Sequence, residues 1–228
     1  MATIFKSSIG KKLFMSISGL FLILFLLLHG TINFFSVIDT FTGKFGAADG
    51  LFMKGCEFMA LPIVTIMVPV LALGFAVHIL WAMWLEYGNI KARGGFFRYK
   101  GGSKGKAESW ASKNMIILGL IVLLGIALHL LDFWQHMQLQ SFIGGEEENP
   151  YVLLTTTFGN IEYLVLYLIW FFVIWFHLTH GFWSAFQTIG WSNEIWMKRL
   201  KVLGIIFATL IVLIFAVVAI NGFYQSTL

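Results

Sequence analysis

The stretch IWFFVIWFHLTHGFW, Ile169 to Trp183, contains no charged residue and holds a histidine, His177, in its middle. Extended by LVLYL before it and SAFQTI after it, the run is long enough to cross a hydrocarbon layer as a helix. Three other apolar stretches repeat the pattern. They are LFLLLHGTINFF around His29, ALGFAVHILWAMW around His78 and GIALHLLDFW around His129. A histidine inside a membrane span is costly and usually functional. A lone one has an ordinary alternative use, hydrogen bonding across helices or facing a water cavity. Four, one in each of four spans, point to axial ligands for two haems inside a helix bundle.

The rest of the chain agrees with a membrane setting. Its 228 residues are 59% hydrophobic and only 11% charged, with a mean hydropathy of +0.85. Soluble domains are closer to a quarter charged. Five segments have spanning length: Leu13 to Ile38, Pro62 to Tyr87, Ser112 to Met137, Phe158 to Thr188 and Leu200 to Phe223. Pro62 suits a first helical turn, and Pro69 is placed to bend the second span. The connections DTFTGKFGAADG, YGNIKARGGFFRYKGGSKGKAES, SFIGGEEENP and GWSNEIWMKR are polar or Gly-rich and too short for a separate core. The expected fold is therefore a single all-α membrane domain over residues 1–228, a four-helix bundle carrying the histidines plus one peripheral helix. No signal peptide is expected, because the N-terminus runs straight into a histidine-bearing span. The single cysteine, Cys56, leaves no disulfide within the chain and no multi-cysteine zinc or iron–sulfur site.

Charge sets the orientation. Lys6, Lys11 and Lys12 precede the first span. Lys91, Arg93, Arg98, Lys100, Lys104, Lys106 and Lys113 lie between the second and third, and Lys198, Arg199 and Lys201 between the fourth and fifth. Only Lys44 and Lys54 fall on the other side, which also holds Glu146, Glu147 and Glu148. The N-terminus is thus expected inside and the C-terminus outside. These basic loops carry no nucleic-acid recognition motif, and the net charge of +4 follows from topology.

At 1.5 Å per residue, His29 lies about 25 Å from Lys12 and His129 about 24 Å from Lys113, both far from the inner side. His78 lies about 12 Å from Glu86 and His177 about 15 Å from Gln187, both near it. The first and third spans should supply an outer pair, the second and fourth an inner pair, at levels roughly 10 Å apart. Ala82 and Gly181, each four residues after an inner histidine, leave room for a flat macrocycle on the same helix face, and Gly30 beside His29 offers similar room. His180, one turn after His177, is the reserve ligand. His136 lies too near the outer surface for axial ligation and better suits a propionate or a quinone headgroup. Glu57 and Asp132, at outer span ends, are candidate proton acceptors for a quinol; the plain alternative for each is a solvated helix-end acid. Tryptophans at span ends (Trp84, Trp110, Trp134, Trp191, Trp196) read as an aromatic belt.

The pieces FLLLHGTINFF, GFAVHILWAMW, HLLDFWQHM and FHLTHGFWSAFQTIGW, in this order over five spans, resemble the dihaem cytochrome b subunit of succinate:quinone oxidoreductases, closest to the cytochrome b558 group. HxxxGxW in the fourth span places that group's ligand at His177. The resemblance implies two haem b groups ligated by His29, His78, His129 and His177. It also implies a flavoprotein subunit with FAD and an iron–sulfur subunit on the inner face of a bacterial cytoplasmic membrane, and a complex that can dimerise. A quinone, usually menaquinone in this group, would react near the outer haem, with Glu57 the first-choice proton acceptor ahead of Asp132 and His136. The alternatives in other classes are the dihaem subunit of a different quinone-linked oxidoreductase and a transporter that uses intramembrane histidines without haem.

Overall fold

The computed structural model describes residues 8–94, 110–191 and 193–228. Lys6, Arg98, Lys100, Lys104 and Lys106, counted above for orientation, lie outside these residues. The chain is an all-α, multi-pass membrane protein with five helices long and apolar enough to span a bilayer. These are α1 (Ser8–Phe41), α3 (Pro62–Arg93), α5 (Met115–His129, continued by a π-helical turn Leu130–Trp134), α8 (Ile161–Ile189) and α9 (Glu194–Ser226). Shorter helices α2 (Leu51–Met59), α4 (Trp110–Lys113), α6 (Gln138–Ile143) and α7 (Pro150–Gly159) fill the connections.

Asparagines decide where the C-terminal half of the chain breaks. Asn149 Oδ1 accepts from Tyr151 N at 2.9 Å, Asn160 Oδ1 from Glu162 N at 2.8 Å and Asn193 Oδ1 from Trp196 N at 2.8 Å. Each satisfies a backbone donor that the first turn of a helix leaves open. Pro150 at the first turn of α7, and Glu162 and Glu194 in the first turns of α8 and α9, reinforce these starts. The cap at Asn160 corrects the fourth span: Phe158 belongs to α7, and the spanning helix begins at Ile161. The third span likewise is not one helix from Ser112 to Met137. It breaks at Asn114 and widens into the π turn after His129. The loop after the first span, which matched no motif, contains helix α2. Pro69 lies inside α3, which runs on past it.

The packing order of the long helices is α3, α1, α8, α5, with α3 and α5 touching only lightly. At the inner end of the α1–α3 seam, Trp81 Nε1 donates to Lys11 O at 2.8 Å and the Trp81 ring meets Phe14. Further out Phe75 meets Phe25. In the α5–α8 seam, Trp170 Nε1 donates to Val122 O at 3.2 Å, and Gly125 gives the Trp170 ring its space, since a Cβ there would collide with that nitrogen.

The fifth span flanks this bundle and carries no histidine, yet it is far from loosely attached. Gly204, Ala208, Ile211, Val218 and Gly222, spaced by three, four or seven residues, form its buried face together with Ala219. A Cβ at Gly222 would meet Leu154 O at 2.9 Å, and one at Gly204 would meet Phe182 at 3.2 Å. Small residues let α9 settle closely against α7, α8 and α1, which matters where lipid tails compete equally for apolar contact. Trp175 Nε1 donates to Thr209 Oγ1 at 2.9 Å across the same interface.

A polar knot closes the end of the bundle where the first span finishes. Asp39, at the top of α1, is completely buried. Its carboxylate accepts from Leu51 N at 2.8 Å, Phe52 N at 2.7 Å and the Tyr151 hydroxyl at 2.6 Å. It therefore caps α2 and ties both α2 and α7 to the first span. Burial and the bond to Asp39 push the Tyr151 hydroxyl well above its ordinary pKa.

Candidate functional site

The four span histidines meet as two pairs. His29 on α1 and His129 on α5 have ring centroids 5.7 Å apart, with planes crossing at 82°. His78 on α3 and His177 on α8 lie 6.3 Å apart at 64°. Both contacts join helices that sit diagonally in the bundle. Neither α1 with α5 nor α3 with α8 forms an extended packing seam among the described residues. The histidine rings bridge the diagonals.

This arrangement suits a haem held from both faces. An imidazole nitrogen binds a metal at about 2 Å and its ring centre lies about 1 Å behind, so two rings on one iron have centroids about 6 Å apart. Both measured separations fall near that value. Among the described residues no three His, Cys, Asp or Glu side chains converge. A pair is the number a porphyrin-bound iron requires, because the macrocycle supplies the other four ligands.

The inner pair sits among small and polar groups of the neighbouring helices. Ser18 Oγ lies 3.2 Å from His78 Nδ1, and a Cβ at Gly19 would lie 3.4 Å from His78 Cε1. Across the bundle, a Cβ at Gly119 would lie 3.7 Å from His177 Cε1. His177 Nδ1 is buried with no hydrogen-bond partner. A Cβ at Gly181 would lie 3.8 Å from Met115 Cε, in ordinary contact with the third span. His180 is directed elsewhere. Its ring meets Trp183 at 4.8 Å, and it is His177 whose ring opposes His78.

Aromatic rings enclose the outer pair. Phe25 stacks on His29 at 5.3 Å and Phe215 of α9 meets it at 5.8 Å. Phe133 and Trp170 flank His129 at 5.2 and 6.1 Å. Gly30 does not provide room for a macrocycle. Its hydrogen side faces α9, where a Cβ would lie 3.3 Å from Ile214 and 3.5 Å from Phe215.

Ser18 and His29 are eleven residues apart on α1, and Gly119 and His129 ten apart on α5, which separates the two levels by about 15 Å. The shorter spacing expected from span ends ignored tilt and measured each helix from a different marker.

The three candidate proton acceptors occupy different settings. Asp132 lies in the π turn three residues after His129, and its Oδ2 accepts from the buried Tyr167 hydroxyl at 2.7 Å. The Tyr167 ring touches Phe133 and Trp170, the two rings beside His129. His136 Nδ1 pairs with Glu148 Oε1 at 2.8 Å, with both side chains exposed. Glu57 is exposed on α2, beside Cys56. Burial, reinforced by Glu147 and Glu57, pushes the Cys56 thiol up to about 12. Glu57 and the acidic loop therefore lie on the same outer cap.

Ser18, Gly19, Tyr167 and Asp39 were not anticipated from sequence. A serine in a span carries no signal of its own until a histidine sixty residues away is placed against it. Comparison of the chain with family models, curated proteins and solved structures returned no match.

Proposed function

We propose that this chain is the membrane anchor and dihaem electron-transfer subunit of a succinate:quinone oxidoreductase, working as a succinate dehydrogenase or a quinol:fumarate reductase. The observation that carries the reading is the pairing of four histidines from four spans, at 5.7 and 6.3 Å and at two levels. His29 and His129 would hold the outer haem b, and His78 and His177 the inner one. Bound haem iron supplies reversible one-electron chemistry. The protein's part is to fix the ring pairs, to exclude water with Phe25, Phe133, Trp170 and Phe215, and to carry protons at the outer end. The decisive measurement is a reduced-minus-oxidised spectrum of the purified chain. Bands of b-type haem at two per chain are expected; their absence would favour a transporter with plain intramembrane histidines.

The remaining assignments follow from the resemblance and the charge pattern. A flavoprotein with FAD and an iron–sulfur subunit would dock on the basic inner face in a bacterial cytoplasmic membrane, with the C-terminus outside. Labelling with a membrane-impermeant maleimide tests the direction. Gly145→Cys should react from outside, and Ser103→Cys, in the segment outside the described residues, only after the cytoplasmic face is opened. The native thiol should stay silent near neutral pH, because a pKa of about 12 leaves almost no thiolate. Reversed labelling would overturn the orientation.

A quinone, menaquinone in the group this chain resembles, would react near the outer pair, with Asp132, Glu57 and His136 as the nearby proton acceptors. Asp132 has the strongest geometric support, because Tyr167 holds one carboxylate oxygen in place within the aromatic shell of His129. The π turn that carries it is a form often found at functional sites. Asp132→Asn should cut quinone-linked turnover about 100-fold or more, in the range of a lost general base, while both haems and succinate oxidation with an artificial acceptor persist. Glu57→Gln is the parallel test. A normal rate in Asp132→Asn with a large loss in Glu57→Gln would move the acceptor to α2.

A further inference from the structure

The two histidines of the inner pair are not equivalent. Ser18 is buried in α1, and its hydroxyl has two neighbours, Met15 O at 3.0 Å and His78 Nδ1 at 3.2 Å. A serine hydroxyl has one proton to donate and lone pairs to accept with, and a backbone carbonyl can only accept. With the proton given to Met15 O, the contact to His78 is a hydrogen bond only if Nδ1 carries the proton and Ser18 accepts it. That places the ring in the Nδ1–H tautomer and leaves Nε2 with its free lone pair. His177 has nothing comparable: its Nδ1 is buried without a partner.

We propose that Ser18 is the positioning residue of the inner site, fixing the tautomer and ring direction of His78 so that Nε2 is the ligating atom, while His177 is held by packing alone. The proposal rests on the haem reading above. Three features of the first span serve it together. Ser18 receives the Nδ1 proton. Gly19, the next residue, lets α1 pass against the same ring, with only 3.4 Å between a notional Cβ and His78 Cε1. The Trp81 bond to Lys11 O, one turn from His78, holds the two helices in this register. Metal-binding histidines nearly always donate their second N–H in this way, and the acceptor raises the basicity of the ligating nitrogen. Loss of such a partner typically weakens metal affinity 10–100-fold.

The test uses the full-length chain with Ser18→Ala and Ser18→Thr, read by haem retention and by redox titration followed optically, neither of which depends on turnover. In Ser18→Ala the inner haem should be lost about ten-fold faster to an apo-haem acceptor protein than in wild type. Its midpoint potential should rise, because a less basic ligand stabilises the oxidised iron less. The outer haem should keep its wild-type behaviour. Ser18→Thr retains the hydroxyl and should restore both properties. An inner haem in Ser18→Ala with wild-type potential and loss rate overturns the role of Ser18 and leaves the dihaem reading intact. A wild-type chain without b-type bands overturns both. Should Ser18→Ala be poorly expressed, Ser18→Cys, whose sulfur is only a weak acceptor, is the second variant: it should raise the potential in the same direction, and a wild-type potential there overturns the role of the hydroxyl.

Discussion

His78→Ala should lower the haem content of the purified chain from two per polypeptide to one, and His177→Ala should do the same to the same haem. Each leaves its partner ring facing an empty position, since the two stand 6.3 Å apart with no packing seam between their helices to replace the link. His29→Ala and His129→Ala should remove the other haem, and the double variant His29→Ala/His129→Ala should lose no more than either single change. This non-additivity is the mark of two groups acting as one site. The outer levels should be unaffected by changes at the inner one, given about 15 Å of helix between them. His180→Ala should retain both haems, because its ring is turned to Trp183. Full haem content in His78→Ala, or loss in His180→Ala with retention in His177→Ala, would overturn the pairing.

Asp39→Ala should be the most damaging substitution outside the histidines. It deprives three donors of their acceptor, two of them belonging to the buried residues Phe52 and Tyr151. Each buried donor left unsatisfied costs about 1–3 kcal/mol, so a loss of about 2–6 kcal/mol is expected in the stability of this cap. Asp39→Asn keeps a carbonyl oxygen and should fall between the two. Gly50→Ala provides an independent check, since its Cβ would collide with the Tyr151 hydroxyl and lie 3.0 Å from Asp39 Oδ2. Thermal inactivation and limited proteolysis of the loop around Gly144 report the effect. Asp39→Ala with wild-type inactivation temperature and protease resistance would show that the knot contributes nothing net.

Much of this architecture is written in the composition of the spans. An uncharged run such as Ile169–Trp183, too long and too uniformly apolar for the alternating strand of a barrel, satisfies its backbone donors and acceptors in a bilayer as a helix. Five such runs specify five spanning helices, and histidine positions counted from the span ends identify which rings share a level. Boundaries were less legible. Asn160 starts a helix just inside the span read from Phe158, because its side chain bonds Glu162 N and outcompetes continuation from α7. Span III shows the same effect, where hydropathy cannot distinguish an α turn from the π turn after His129.

Sequence alone thus determined the class, the number of spans and the histidine pairs, since these depend on solvation and on distance along one helix. Tertiary structure decided which residues surround the pairs. Ser18 reaches His78, Trp170 covers His129, Tyr167 holds Asp132, and Gly30 serves α9. Each depends on the rotation and register of one helix against another, and neither is specified by a hydrophobic run, whose residues are equally at home facing lipid or protein. Asp39 belongs to the same group. Nothing near it in sequence distinguishes a solvated helix-end acid from a buried cap, until Leu51, Phe52 and Tyr151 are folded onto it.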